Sequence, residues 1–282
     1  MRNSTKAYIL SLIAVFFWST VATAFKLTLR YVTPYEMLFY AVITTVIITG
    51  FIIFFKKRKI EWNKKAIFLG ILNPFLYYIL LFEAYNRLLA QQALCINYLW
   101  PLVLVLISVL FGKEKLILRS ITGILLGFLG VVLVATKGDY RALAVSDLKG
   151  VIFALLSTVV WAVYWHINRK IKVNAEDKLF QGFLFALPFL LFVLFIQGIR
   201  WPGTRGLIGS LYIGTFEMGI TFLVWLSSLQ IAKNVHSIAS LIYLAPPLSL
   251  LIIAVVLKEK IYPATLLGLL FVLTGVWLAR SE

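Results

Sequence analysis

Two apolar stretches of the chain are interrupted by the same pattern of aromatic residues and proline. The letters NYLWP occupy residues 97–101, and YLAP occupies residues 243–246, so that the tyrosines and prolines recur at an offset of 145 residues. A proline inside a helix lacks an amide hydrogen and clashes with the preceding turn, which leaves a backbone carbonyl without its helical partner. Such a carbonyl can bind a ligand. We therefore interpret Pro101 and Pro246, with the adjacent Pro247, as helix breaks that border a binding site.

Aromatic side chains at helical spacing form a second group of candidates. Tyr164 and Trp165 follow Trp161 by three and four residues, so the three side chains share one face of a helix. Such a face can receive an indole or phenyl ring edge to face and can hold an ammonium group by cation–π attraction. The alternative is that these side chains anchor helices at a membrane interface or pack between helices. The aromatic candidates for substrate contact are Trp18, Tyr78, Tyr98, Trp100, Trp161, Tyr164, Trp165 and Tyr243.

One carboxylate stands in an apolar stretch where charge is costly. Glu217 aligns at an offset of 144 with Asn73, which precedes Pro74. An ionisable group inside a membrane helix is by default a functional candidate. We expect Glu217 and Asn73 to contact substrate, with Glu217 binding an ammonium group or carrying a proton; a structural contact to a neighbouring helix is the alternative. Glu83 lies one helical turn before Arg87, which predicts a local ion pair.

The composition identifies the environment of these residues. Of 282 residues, 62% are hydrophobic and 13% are charged, with a mean hydropathy of +0.96, whereas soluble domains are about 45–50% apolar and about 25% charged. About 20 apolar residues cross the bilayer core as a helix, the structure that leaves no backbone group unsatisfied. The sequence therefore predicts an all-α integral membrane protein with ten transmembrane helices. Their expected positions are near residues 7–25, 34–55, 66–88, 91–111, 119–136, 147–167, 178–199, 206–228, 235–257 and 262–280.

The basic residues predict the orientation. With the N-terminus inside, 17 of the 27 lysines and arginines lie in cytoplasmic segments, above all in residues 56–65. We expect a multi-pass protein of the cell (inner) membrane with both termini in the cytoplasm. The net charge of +16 is then a signal of orientation and of contact with the lipid bilayer, not of nucleic-acid binding.

Further matches at the same offset indicate an internal duplication. Residues 113–115 and 258–260 both read KEK, while Gly123 and Gly130 align with Gly268 and Gly275. The expected repeats are residues 1–140 and 141–282, and five spans in each invert the second repeat relative to the first. Inverted repeats are typical of secondary transporters, whose substrate sites lie near the bilayer midplane. The glycines, with Gly127, predict close helix packing between halves or between protomers, and the oligomeric state stays open.

Ten spans in two inverted halves with GKEK-like loops resemble the EamA-type branch of the drug/metabolite transporter superfamily, over essentially the whole chain. Within that branch, NYLWP together with WAVYWHINRK at residues 161–170 is similar to the YddG-type exporters of aromatic amino acids. The resemblance implies a secondary transporter that exports small amphipathic metabolites, amino acids with aromatic preference first, by alternating access around a central cavity. Residues 214–230, GTFEMGITFLVWLSSLQ, fit other EamA proteins better, and Glu217 is not part of the exporter pattern. The alternative is a carrier for another metabolite or an organic cation, coupled to protons through Glu217.

Other functional classes are less compatible with the sequence. No GxxxxGK[ST] loop is present, which excludes ATP drive within this chain. The two histidines have no metal-ligand spacing and the aspartates fall in predicted loops, so we expect no enzyme, catalytic residue, metal or cofactor. A channel requires rings of like charge or a carbonyl filter. A lipid flippase stays open as an alternative, and it would tolerate the loss of Trp18 or Trp161.

Overall fold

The computed structural model describes residues 2–111, 117–139, 147–198 and 200–279, except for the side chains of residues 2–4 and 236. Within these ranges the secondary structure is entirely helical. The α-helices are α1 (Arg2–Thr28), α2 (Pro34–Phe55), α3 (Lys64–Gly70), α4 (Tyr77–Arg87), α5 (Ala90–Asn97), α6 (Trp100–Phe111), α7 (Leu118–Ala135), α8 (Leu148–Asn168), α9 (Ala175–Gln197), α10 (Gly203–Ile213), α11 (Ile220–Ile231), α12 (Val235–Ser240), α13 (Ala245–Ile252) and α14 (Pro263–Ala279). Two π-helical segments (Ile71–Leu76 and Gly214–Gly219) and one 3₁₀ segment (Leu241–Leu244) join consecutive helices, and a third π-helical segment, Ile253–Leu257, extends α13.

The helices form membrane spans. In the described part of the chain, nine continuous helical stretches are long and apolar enough to cross a bilayer, and α14 is a shorter apolar helix. Several spans contain more than one helix: α3 and α4 share Lys64–Arg87, α5 and α6 share Ala90–Phe111, and α10 and α11 share Gly203–Ile231. The prediction of an all-α membrane protein is confirmed.

The chain divides into two compact units. Unit 1 comprises Met1–Phe75 and Lys172–Leu257, and unit 2 comprises Leu76–Ile171 and Lys258–Glu282. Each unit combines segments from both halves of the sequence. The spatial division is therefore of a different kind from the repeats 1–140 and 141–282, which stay a prediction from the sequence.

In unit 1, helix α2 supports the irregular segment Gly214–Gly219. The helix begins with a capping box, in which Thr33 Oγ1 accepts from the Glu36 amide at 3.2 Å and a Glu36 carboxylate oxygen accepts from the Thr33 amide at 2.8 Å. About three turns into the helix, Thr45 donates its hydroxyl to the Gly214 carbonyl at 2.9 Å. A Cβ on Gly214 would lie only 2.4 Å from the carbonyl oxygen of Ala41. The π-helical segment is thus held directly against the backbone of α2.

In unit 2, glycines let α7 and α14 approach closely. A Cβ on Gly123 would lie 2.5 Å from the Gly275 carbonyl oxygen, and one on Gly130 would lie 2.5 Å from the Gly268 carbonyl oxygen. The reciprocal distances, from Gly275 to Gly123 and from Gly268 to Gly130, are 2.4 and 2.6 Å. The prediction of close helix packing at these glycines is confirmed, and the contact joins one helix from each half of the sequence.

The second KEK sequence has a structural role in unit 2. The Glu259 carboxylate accepts from the backbone amides of Ala90 at 3.0 Å and Gln91 at 3.4 Å, and so caps the N-terminus of α5. The Gln91 side chain donates to the Lys260 carbonyl at 2.9 Å and accepts from the Thr265 hydroxyl at 2.8 Å. A carboxylate at a helix N-terminus satisfies orphan amides and interacts favourably with the helix dipole. The first copy, residues 113–115, lies outside the described residues.

Candidate functional site

Four aromatic side chains of unit 2 form one cluster, which we call the aromatic cluster: Tyr77, Trp161, Tyr164 and Trp165. The Trp161 ring stacks on Tyr77 at 4.3 Å between centroids and on Tyr164 at 5.3 Å, and Trp165 lies perpendicular to it at 5.8 Å. Tyr78 continues the cluster through an edge contact with Tyr77 at 4.7 Å. Tyr77, Tyr78 and Tyr164 are buried, whereas Trp161 and Trp165 are half-buried. The two indoles therefore form the accessible part of the cluster.

The aromatic cluster is bonded to a polar residue at a helix break. Tyr77 donates its hydroxyl to Asn97 Oδ1 at 3.4 Å, and Asn97 Nδ2 donates to the Ser157 hydroxyl at 3.1 Å. Asn97 is the last residue of α5. Its amide thus connects the aromatic rings of α4 and α8 to the end of α5.

The break beside Asn97 lies before the proline. Tyr98 and Leu99 are turn residues, and the chain becomes helical again at Trp100, so that Pro101 occupies the first turn of α6. Proline is tolerated there because the first amides of a helix have no intrahelical acceptor. In unit 1 the corresponding proline, Pro246, likewise occupies the first turn of α13.

A second group of candidates meets in unit 1. The indole amide of Trp18 donates to the backbone carbonyl of Glu217 at 3.4 Å. Glu217 lies in the π-helical segment Gly214–Gly219, where the amide of Ile220 bonds to the carbonyl of Thr215 rather than to that of residue 216. Single π-helical turns occur frequently at functional sites. The bond from Trp18 connects α1 to the segment that contains Glu217.

Apolar contacts fix the position of Trp18. Its ring makes edge contacts with Trp225 at 5.5 Å and with Phe222 at 6.4 Å, both on α11. It also packs against a core cluster that contains Ala245, the residue before Pro246. Trp18 itself is half-buried. Trp18 thus contacts the segment Gly214–Gly219 and α11, and it packs against the core cluster that includes Ala245. Glu217 is half-buried as well.

Unit 1 also contains buried polar atoms without a hydrogen-bond partner in the described structure. Asn73 lies in the π-helical segment Ile71–Leu76 in an extended conformation, and its Oδ1 is buried and unpartnered. The same is true of the hydroxyl oxygens of Thr23, Thr221 and Ser249. Buried polar groups are nearly always hydrogen-bonded, because leaving one unpaired costs about 1–3 kcal/mol. These atoms are therefore candidates for hydrogen bonds to a polar cargo.

The structure groups the predicted site residues by unit. Unit 2 contains Tyr78, Tyr98, Trp100, Pro101, Trp161, Tyr164 and Trp165, and unit 1 contains Trp18, Asn73, Glu217, Tyr243, Pro246 and Pro247. Tyr98 and Trp100 flank the break between α5 and α6, and Tyr243 lies in the 3₁₀ segment Leu241–Leu244. The predicted ion pair of Glu83 and Arg87 is confirmed, at 3.4 Å.

Sequence reasoning missed three contributors, namely Tyr77, Asn97 and Trp225. Ser157, the hydrogen-bond partner of Asn97, stands at helical spacing from Trp161 and so was visible in the sequence. Asn97 stands inside the NYLWP sequence and Tyr77 beside Tyr78, so both were visible as unusual polar or aromatic residues in a span. The partners of Tyr77 and Asn97 lie 20 to 84 residues away along the chain, so these contacts could be identified only from the fold.

Comparison with known proteins identifies the family. The EamA-like transporter family matches residues 5–136 and again residues 148–281. The chain belongs to the EamA-like transporter family. It is therefore a multi-pass membrane transporter and not an enzyme. Among the described residues, no group of three or more His, Cys, Asp or Glu side chains could hold a metal ion.

Two relatives show the kinds of protein to which this EamA-type chain is similar. It is 27% identical to an uncharacterized transporter of Archaeoglobus fulgidus, over 97% of this chain and 98% of that protein. It is 29% identical to the aromatic amino acid exporter YddG of Ancylobacter novellus, over 66% of this chain and 65% of that protein. A crystal structure superposes with a TM-score of 0.70 at 22% identity, covering 98% of this chain and 96% of the other, which supports the fold.

Proposed function

We propose that this EamA-type transporter exports small amphipathic metabolites, with aromatic amino acids foremost, as a secondary carrier. The observation that carries the proposal is the aromatic cluster of Tyr77, Trp161, Tyr164 and Trp165, bonded through Asn97 to the break between α5 and α6. The name of the relative in Ancylobacter novellus, an aromatic amino acid exporter, supports the same substrate class.

The chemistry of the cluster suits such a cargo. Trp161 and Trp165 are half-buried, so they can offer ring edges and faces to an indole or phenyl side chain, while Tyr77 and Tyr164 hold them in place. Aromatic pairs contribute about 0.5–1.5 kcal/mol beyond the area they bury. Asn97 provides an amide that can bond the amino or carboxylate group of the cargo. A purely aliphatic cargo would gain none of the ring-specific attraction.

Glu217 supports a second candidate function, a proton-coupled carrier for another metabolite or for an organic cation. The residue is half-buried in a membrane span, within a π-helical turn that Trp18 contacts. An ionisable group at such a place can bind an ammonium group or carry a proton. This candidate differs from the first in predicting that transport depends on pH through one residue.

Alternating access is the mechanism we propose for either cargo. The irregular segments recur along the sequence: Ile71–Leu76 and Gly214–Gly219 contain Asn73 and Glu217, and the turn at Tyr98 matches the 3₁₀ segment at Tyr243. This recurrence supports two repeats, residues 1–140 and 141–282, which five spans in each would invert. The basic residues of segment 56–65 favour the orientation with both termini in the cytoplasm. Irregular joints in otherwise rigid helices are the natural places for the spans to bend during transport.

Counterflow in reconstituted vesicles tests the proposal. Vesicles are loaded with unlabelled phenylalanine and receive a trace of labelled phenylalanine outside, with a panel of amino acids, sugars, nucleosides and organic cations as competitors. Accumulation that tryptophan and tyrosine suppress best supports the aromatic amino acid cargo. No accumulation by a folded protein refutes that cargo, and strongest suppression by an organic cation transfers the proposal to the second candidate.

A further inference from the structure

One end of unit 1 contains two adjacent cavities of contrasting chemistry. The first, of about 570 Å³, is lined largely by polar and charged side chains, among them Lys56, Arg58, Lys172 and Lys178. The second, of about 560 Å³, is lined by apolar and aromatic residues: Gly50, Ile53, Phe54, Ile60, Trp62 and Phe180, together with Arg58 and Lys59. Both have the volume of typical ligand sites. Arg58 lines both cavities. A ligand that occupied both would therefore contact the Arg58 guanidinium at the junction between its polar part and its apolar part.

The charge of this region favours an anion. Five basic side chains line the two cavities, and three carboxylates accompany them: Glu61, Glu176 and the buried Asp177. Lys56 pairs with Glu176, and Arg58 Nη1 donates to Asp177 Oδ2 at 2.5 Å. The hydrogen bond with Asp177 raises the pKa of the Arg58 guanidinium, so that this group stays cationic. Basic residues thus exceed acidic ones among the described side chains of the region.

Asp177 also fixes the shape of the site. Its carboxylate accepts from the Glu61 amide at 3.2 Å as well as from Arg58, and the neighbouring Gln181 side chain accepts from the Asn63 amide at 2.8 Å. The loop between α2 and α3 is therefore bonded to the first turns of α9. Arg58 is held in place by the protein, whereas Lys172 is exposed and can move to meet a ligand.

The lining of the apolar cavity favours a lipid over a free anion as the ligand. The side chains of Phe54 and Trp62 are 76% and 59% exposed, and the Trp62 ring lies 6.5 Å from that of Phe180. A free phosphate would gain nothing from these rings. An acyl chain would pack against them by dispersion contacts, since Phe54 lies near the end of the membrane span Pro34–Phe55. We propose that the two cavities together bind one anionic phospholipid, with the phosphate among Arg58, Lys172 and Lys178 and an acyl chain along Phe54, Trp62 and Phe180.

The test measures lipid binding to the purified full-length protein in detergent by native mass spectrometry, with phosphatidylglycerol and phosphatidylcholine as the lipids. We expect preference for phosphatidylglycerol. Each basic residue near an anionic group contributes a factor of about five in affinity, so the double variant Lys172→Gln/Lys178→Gln should lose about 25-fold in phosphatidylglycerol binding. The matched control is Lys64→Gln/Lys65→Gln, which removes the same charge from exposed residues that line neither cavity. It should change the binding less than two-fold.

Several outcomes overturn the proposal. Equal loss in both double variants would mean that the general surface charge attracts lipid. Equal binding of the two lipids would show that the net negative charge of the headgroup is not recognised, and displacement of phosphatidylglycerol by inorganic phosphate would identify a free-anion site. If the double variant does not fold, the single variant Lys172→Gln replaces it, because Lys172 is exposed and its substitution should not disturb folding. The affinity of that variant for phosphatidylglycerol should fall about five-fold.

Discussion

The substitution Gly130→Ala should weaken the contact between α7 and α14. The added Cβ would lie 2.5 Å from the carbonyl oxygen of Gly268, and real Cβ contacts are essentially never closer than 3.0 Å. Because the atom that the new Cβ would meet belongs to the backbone, no rotation of a side chain can relieve the clash. The two helices must instead move apart. Overpacking of this kind costs about 1–3 kcal/mol, and about 2 kcal/mol lowers the unfolding midpoint by about 4–8 °C in a chain of this size.

The assay uses the single cysteine of the chain. Cys95 is buried in α5 of unit 2, so a thiol-reactive fluorescent maleimide reports unfolding of that unit during a thermal ramp. Gly127→Ala on the same helix is the matched control. Its Cβ would meet the Cδ1 atom of Leu102, the flexible end of a side chain, and its midpoint should fall by less than half as much. An unchanged midpoint in Gly130→Ala, or equal falls in both variants, would refute the backbone contact.

Three further predictions concern polar groups. Glu259→Gln removes the carboxylate that caps α5 and should cost about 1–2 kcal/mol, seen as a lower midpoint in the same thermal assay; an unchanged midpoint would show that the cap is not needed. Trp18→Phe leaves the half-buried Glu217 carbonyl without its indole donor and should cost about 0.5–1.5 kcal/mol in the free energy of unfolding, with wild-type stability as the contrary result. If Glu217 carries the proton, Glu217→Gln should abolish the pH dependence of counterflow, and an unchanged pH profile would remove this residue from the mechanism.

The sequence predicted features that depend on local patterns. Apolar stretches of about 20 residues located the spans. The repeat drew attention to Pro101 and Pro246, which the structure places in the first turns of α6 and α13. The close approach of helices at Gly130 and Gly268 followed from small residues at regular spacing, because only glycine allows backbones to meet this closely.

Contacts between distant residues could not be predicted in the same way. The bond from Trp18 reaches the Glu217 carbonyl in a π-helical turn that packs against α2 at Gly214, and such a turn leaves no mark in the hydropathy. The stacking of Tyr77 on Trp161 joins residues from separate spans. Each residue was visible in the sequence, but its partner depends on how the helices pack. For the same reason the aromatic residues, Trp161 above all, could be assigned from the sequence to substrate contact or to packing, and the stacked geometry shows that packing accounts for part of their role.

The central claim is that the aromatic cluster selects the cargo. The most direct measurement compares counterflow selectivity, the ratio of inhibition by phenylalanine to inhibition by leucine, in Trp161→Ala and in Trp201→Ala, which truncates an indole that is 74% exposed outside the spans. We predict that the ratio falls about three- to ten-fold in Trp161→Ala, the value of one aromatic pair, and stays at the wild-type level in Trp201→Ala. A wild-type ratio in a folded, transporting Trp161→Ala protein would contradict the claim.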